Sequence, residues 1–244
     1  MAYYLLNDTN ESAYINLANT LVIGDNVGDY VKFSVFTKAD YEGEYRIGGK
    51  KDAGSFRIAL NASRLLFRSG TEITVTSAEG YTIPSAGTDF TVTFKRLAND
   101  NWEISLNGQV LKTAVNSTSF QLDQLLTWAT SGLRSLLGGF YYIEVSTDGG
   151  ASITNYYDPS ATNGTGTTLE DTQGTNDGTL VGFTGTTNSW WVFYSTGITI
   201  TGATPNYNYA AIAGAVDLTA TITITGDTPN YSYTAISGTV DLTS

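Results

Sequence analysis

The chain has 244 residues, with 12 basic against 23 acidic side chains for a formal net charge of −11, and neither Cys nor His. That balance excludes docking on a nucleic-acid backbone, which needs clustered cations. The missing residue types exclude disulfides, thiolate nucleophiles, Ser-His-Asp triads and ordinary structural zinc sites.

Charged residues make up 14% of the chain, while Gly (26) and Tyr (16) are frequent. Strand and turn formers therefore dominate, and long amphipathic helices are not expected. All 12 bases lie between Lys32 and Arg134, and the last 110 residues hold 9 acids and no base. An acidic surface of that kind is solvated and is repelled by anionic lipid. No apolar run is long enough to span a bilayer, so membrane insertion is not expected. The opening MAYYLLNDTNESAY lacks a basic n-region and a long apolar h-region. Release by cell lysis, as for virion proteins, is thus expected, with non-classical export as the alternative.

Short alternating runs recur along the chain, separated by Gly, Asn, Asp and Ser, the pattern of a sandwich or barrel. Ala13–Leu17 and Asp29–Thr37 come first. In the second, Val31, Phe33 and Val35 point one way, and Tyr30, Lys32, Ser34 and Phe36 the other. Ser55–Ala59, Arg64–Phe67, Glu72–Thr76, Phe90–Leu97, Trp102–Leu106 and Phe140–Ser146 follow. Asn107-Gly108, between EISL and QVLKT, predicts a two-residue hairpin with positive φ at both positions. Ser119–Leu137 is the one stretch read as a helical turn. Asp158–Gly178 reads as a long surface loop, and Ser189–Tyr194 (SWWVFY) as a closing strand.

Four segments carry a resemblance: YYLLNDTNESAYINL, FTVTFKRLANDNWEISLNGQVL, GGFYYIEVSTDGG and TNYYDPS…GTNDGTLVGFTGTTNSWWVFY. Together they resemble laminin-G-like, concanavalin A-like jelly rolls, in versions found in phage and marine bacterial proteins. The resemblance spans about residues 1–195 and implies an all-β jelly-roll sandwich.

Residues 196–244 hold an internal repeat. ITITGATPNYNYAAIAGAVDLTA (198–220) is followed by ITITGDTPNYSYTAISGTVDLTS (222–244), with 17 of 23 positions identical. From Ala215 to Thr225 the alternation is strict. Val216, Leu218, Ile222 and Ile224 share one face, which predicts a strand across the repeat junction and an oligomerisation surface. Thr204-Pro205-Asn206 turns the chain, and Tyr207 and Tyr209 begin the return. A two-strand unit this small cannot bury enough apolar surface alone. It must stack on the sandwich, on its neighbour or on other subunits. The repeats resemble those of phage structural proteins, whose fibres imply a homotrimer and virion partners.

Candidate sites are sparse. The laminarinase-type enzymes of this fold carry Glu-x-Asp triads, and none occurs here. Glu42-Gly-Glu44 is the nearest approach and reads as a pair of edge charges, so no enzyme is expected. The laminin-G-like resemblance implies a Ca²⁺ ion, with Asp8, Asn10, Asn176 and Asp177 as ligand candidates of the hard-oxygen type. Glycan binding is expected through Tyr41, Tyr45, Arg46 and Tyr81, aromatic and planar polar groups in Gly-containing segments. Trp102, Trp190 and Trp191 fall in strand patterns and are expected in the core. The combined reading is a lectin-like, non-enzymatic protein of a virion surface, as a capsid decoration, head fibre or tail-fibre component. Its alternative is a bacterial cell-surface adhesin or carbohydrate-binding module.

Overall fold

A computed structural model describes residues 2–7, 13–38, 44–51, 53–127, 136–162, 166–183, 191–194, 199–201, 206–208, 215–217, 223–225 and 230–232. Its strands are Ala2–Asn7 (β1), Tyr14–Ile23 (β2), Tyr30–Thr37 (β3), Tyr45–Lys50 (β4), Ala53–Asn61 (β5), Arg64–Ser69 (β6) and Thr71–Thr76 (β7). Phe90–Arg96 (β8), Asn101–Leu106 (β9), Gln109–Val115 (β10), Phe120–Leu125 (β11), Gly138–Ser146 (β12) and Asn155–Tyr157 (β13) follow. The last are Thr168–Leu169 (β14), Gly178–Val181 (β15), Trp191–Tyr194 (β16), Thr199–Thr201 (β17), Asn206–Asn208 (β18), Ala215–Asp217 (β19), Thr223–Thr225 (β20) and Asn230–Ser232 (β21).

Two large sheets result. Sheet A runs β10-β9-β8-β3-β12-β1-β16-β19, with β13 beside β12, and sheet B runs β14-β15-β2-β11-β4-β5-β6-β7. The chain passes from A to B after β3, returns after β7, and crosses again before and after β11. Apart from the parallel β16·β19 pair, neighbours within both sheets are antiparallel. This is a jelly-roll sandwich, all-β as the sequence implies.

The inward residues of both sheets form one apolar core. Val31, Phe33 and Val35 are 0–1% exposed, on the face their alternation assigns. Phe67 on β6 joins the layers. Its ring lies 4.7 Å from Phe94, 4.8 Å from Trp102 and 5.1 Å from Phe120, centroid to centroid. Trp102 and Trp191 are fully buried, and Trp190 lies outside the described residues. The β9–β10 hairpin turns through Asn107 and Gly108 at φ 51° and 78°, as a type I′ turn requires.

Two readings are corrected. Phe120–Leu125 is a strand between β2 and β4 in the middle of sheet B, not part of a helical turn. Phe120, Leu122 and Leu125 are wholly buried there, so cross-strand packing overrides local preference. The stretch Asp158–Gly178 is more than a surface loop: it holds a 3₁₀ turn at Pro159–Thr162 and the strand β14. Asp171 organises it, 5% exposed, accepting hydrogen bonds from Asn155 Nδ2 and from the N–H groups of Tyr156, Gln173, Gly174 and Asn176.

In the repeats, β17 pairs with β20 and β18 with β21, both parallel and in register, Thr199 with Thr223 and Asn206 with Asn230. Equivalent residues of the two copies are therefore partners.

Candidate functional site: the outer face of sheet B

The meander β4–β7 fixes which side chains face solvent. Ile58, Leu60, Leu65, Phe67, Ile73 and Val75 are 0–4% exposed and belong to the core. The period of two then turns Arg57, Ala59, Asn61, Arg64, Leu66, Arg68, Glu72 and Thr74 to the outer face. The β5–β6 turn sets their register. Asn61 Oδ1 accepts from the N–H groups of Ser63 and Arg64, both at 2.9 Å, an Asx turn that places Asn61 opposite Arg64.

One cross-strand row runs over the whole sheet. Glu72 on β7 is opposite Arg68 on β6, which is opposite Arg57 on β5, which is opposite Gly49 on β4. Gly49 pairs with Gln124 on β11, Gln124 with Asn16 on β2, Asn16 with Thr179 on β15, and Thr179 with Thr168 on β14. At about 4.8 Å per strand, seven spacings give a line roughly 34 Å long. The next row is Thr74, Leu66, Ala59 and Arg46. Ala59 and Leu66, 0% and 1% exposed, form a small apolar island apart from the main core.

Charges on this face are interlocked. Arg57 donates to Glu72 Oε2 at 3.0 Å, Arg64 lies 3.7 Å from Glu72 Oε1, and Arg64 donates to Glu44 Oε2 at 3.1 Å. Glu44, read from sequence as a solvated edge charge, is therefore ion-paired. Burial would raise the Glu72 carboxyl, but hydrogen bonding to Arg57 and the charges of Arg57 and Arg64 outweigh it and hold it below the ordinary value. Gln124 is fully buried, and its amide oxygen and nitrogen have no hydrogen-bond partner among the described residues.

The residues expected to bind glycans divide. Arg46 lies on this face, opposite Ala59. Tyr45 pairs with Leu60 and packs against the core, half-buried. Tyr81 is a correction: it is 4% exposed, and its hydroxyl donates to the Asn61 carbonyl at 2.9 Å, so it offers no ring face to a sugar. Tyr41 lies outside the described residues. Arg57, Arg68, Glu72 and Gln124 were missed. The Asn61-Ala62-Ser63-Arg64 turn was the available signal, since counting outward from it pairs Arg57 with Arg68.

The calcium candidates are not assembled among the described residues. Asn176 Oδ1 accepts the Asn19 N–H at 2.6 Å while its Nδ2 donates to the Asn19 carbonyl at 3.0 Å. Asp177 Oδ1 accepts the Asp171 N–H at 2.9 Å. One oxygen of each of these side chains is thus taken by a peptide N–H, and no group of three or more acidic residues converges among the described residues. Asp8 and Asn10 lie outside them. Of the oligomerisation candidates, Val216 is in β19 and Ile224 in β20, while Leu218 and Ile222 lie outside the described residues.

The outer face of sheet A differs in kind. Lys32, Glu144 and Tyr156 form a row across β3, β12 and β13. Tyr30 donates to Glu144 Oε1 at 2.8 Å and Lys32 to Oε2 at 3.2 Å. Lys32 Nζ stands 5.1 Å from the Tyr142 ring centre, and Tyr142 lies 5.8 Å from Tyr156. Burial and the Glu144 carboxylate push the Tyr30 hydroxyl up to about 12. Here both carboxylate oxygens are satisfied by neighbouring side chains.

No family model matches the sequence, and neither does any curated protein sequence. Among solved structures, the chain is similar to a Bacteroides ovatus protein described as carbohydrate binding, with TM-score 0.49 and 14% identity over 72% of this chain. The match spans 59% of that protein's length. It is also similar to sheep galectin-11 (TM-score 0.31, 15% identity, 45% of this chain and 92% of that one). A third is the alginate lyase AlgAT5 of polysaccharide lyase family 7 (TM-score 0.33, 16% identity, 59% and 62%).

Proposed function

We propose that the protein is a non-enzymatic glycan-binding module whose ligand lies along the outer face of sheet B, displayed on a virion surface as a decoration or fibre component. The observation that carries the binding reading is the polar set that the cross-strand row presents on either side of the buried Gly49 and Gln124, with Glu72, Arg68 and Arg57 toward one edge and Asn16, Thr179 and Thr168 toward the other. It lines up guanidinium, carboxylate, amide and hydroxyl groups at strand spacing, which is the donor and acceptor set that sugar hydroxyls require.

Two facts support binding without catalysis. Glycoside hydrolysis needs a carboxylic acid that keeps its proton near neutral pH, and Glu72 is held in the opposite direction by its arginines. The chain also has no His or Cys to serve as an alternative acid or base. The virion setting is supported by the repeat sequences at 198–244, which resemble those of phage structural proteins. The repeats serve as a stalk or anchor and hold a homo-oligomer, favoured as a trimer. In-register parallel pairing leaves strand edges that a second subunit or another virion protein would cover.

Affinity electrophoresis through gels cast with neutral and acidic polysaccharides tests this, with product analysis on the same samples. Retardation without new reducing or unsaturated ends supports it. Release of such ends overturns the non-enzymatic reading, and free migration in every gel overturns the binding one.

A further inference from the structure

The row contains an arrangement that is costly unless something offsets it. Arg57 and Arg68 are directly opposed on β5 and β6, and like charges in that position destabilise a sheet. Arg57 is compensated by Glu72 at 3.0 Å. Arg64, two rows away, shares Glu72 and takes Glu44. For Arg68 the recorded bond is Nε donating to the Gly70 carbonyl at 3.2 Å, and among the described residues no carboxylate lies within ion-pair distance of it. Arg57 and Arg64 are thus ion-paired, while the planar fork of Arg68, Nη1 and Nη2, has no partner among the described residues and sits on a half-buried, outward-facing side chain.

Resting on the reading that sheet B's outer face binds glycans, we infer that the ligand is an acidic glycan and that Arg68 anchors its oxyanion, a carboxylate or a sulfate. Arginine's fork matches such groups with two parallel hydrogen bonds, and the bound anion neutralises the Arg57–Arg68 repulsion. A net charge of −11 repels anions at long range. Discrimination therefore arises from contact with this local positive charge. Glu72 sets the position by holding Arg57 back from the ligand, leaving Arg68 as the free arm.

The test uses the full chain and matched probes: tetragalacturonate and its methyl ester, sialyllactose and lactose, and a carrageenan oligosaccharide with its desulfated form. Equilibrium binding is measured for wild type, Arg68→Gln and Arg68→Lys, with melting curves as the folding control. The expected result is a preference of about tenfold or more for the acidic member of a pair, as two charge-assisted hydrogen bonds provide. Arg68→Gln abolishes the preference, Arg68→Lys leaves only part of it, and neither variant melts below wild type, since Arg68→Gln also relieves the opposition to Arg57. The pair that responds tells carboxylate from sulfate. Equal binding of acidic and neutral members, or a preference that survives Arg68→Gln, overturns the inference while leaving glycan binding in place. Binding of no probe overturns both.

Discussion

Asp29 and Gly149 join two turns at one end of the sandwich. The fully buried Asp29 carboxylate accepts the Gly149 N–H at 2.8 Å through Oδ1, and the Gly24 and Asn26 N–H groups, each at 3.0 Å, through Oδ2. Gly28, next to it, has φ 101°, and a Cβ there would run into the Gly149 carbonyl. Asp29→Ala strips three N–H groups of their acceptor, that of Gly24 buried and those of Asn26 and Gly149 partly so, and is expected to lower stability by about 2 kcal/mol. Gly28→Ala is destabilising as well, through both its positive φ and the clash. Chemical denaturation of the two variants checks this, and wild-type midpoints for both would show that the turns are not coupled.

Acid should weaken the fold within a defined window. The Asp148 carboxyl is held at about 2 by hydrogen bonds from the Ser152 and Ser146 hydroxyls. Glu79 is held at about 2 by Lys112 and Thr76. For Asp171, burial alone would raise the value, but bonds from Asn155 and backbone N–H groups outweigh it and lower it. Groups depressed in the folded state stabilise it above their unfolded values, and that contribution is lost as pH falls through the folded ones. The melting temperature is therefore expected to hold from neutral pH to near the ordinary carboxyl range, 4.5 to 3.8, and then fall toward pH 2. With no His in the chain, a decline beginning at about pH 6 would contradict this assignment.

Calcium should leave the melting temperature unchanged, because Asn176 clamps the Asn19 peptide and Asp171 receives five donors with no metal required. Binding to the native state alone at 100 times Kd would add roughly 2.7 kcal/mol. A rise that EDTA reverses would instead show that Asp8 and Asn10 complete a site with Asp177.

Tyr81→Phe removes a hydroxyl that donates to the Asn61 carbonyl beside the β5–β6 turn. The expected cost is about 1 kcal/mol, with glycan binding retained. A variant that melts like wild type but loses ligand would restore Tyr81 to the site.

Self-association of the repeats is read by light scattering on the full chain and on residues 1–195. The expectation is an oligomer for the former and a monomer for the latter. Two monomers at micromolar concentration would confine the stalk role to an assembly with other proteins.

Much of the fold was legible because period-two alternation and turn chemistry are local. DYVKFSVFT assigns the inward face of β3 from its own residues, and Asn107-Gly108 announces its hairpin. The strand β4 escaped, since YRIGGK has two glycines, no clean alternation and register shifts on both sides of its pairing with β5. FQLDQL reads locally as a possible helical turn, and only its partners β2 and β4 make it a strand. The site was less legible still. Arg57, Arg68 and Glu72 are ordinary surface residues until the β5–β6 turn brings them into one row, and Gln124 joins that row only through the β11 crossover, a contact distant in sequence.

The most direct test of the central claim compares opposite faces on one glycan array, using multivalent full-length protein. Wild type and a Tyr142→Ala/Tyr156→Ala variant of sheet A should bind the same glycans, while Arg68→Ala and Arg68→Asp in sheet B should lose them with cooperative melting kept. Loss of binding through the sheet A variant, with both arginine variants still binding, would contradict the account.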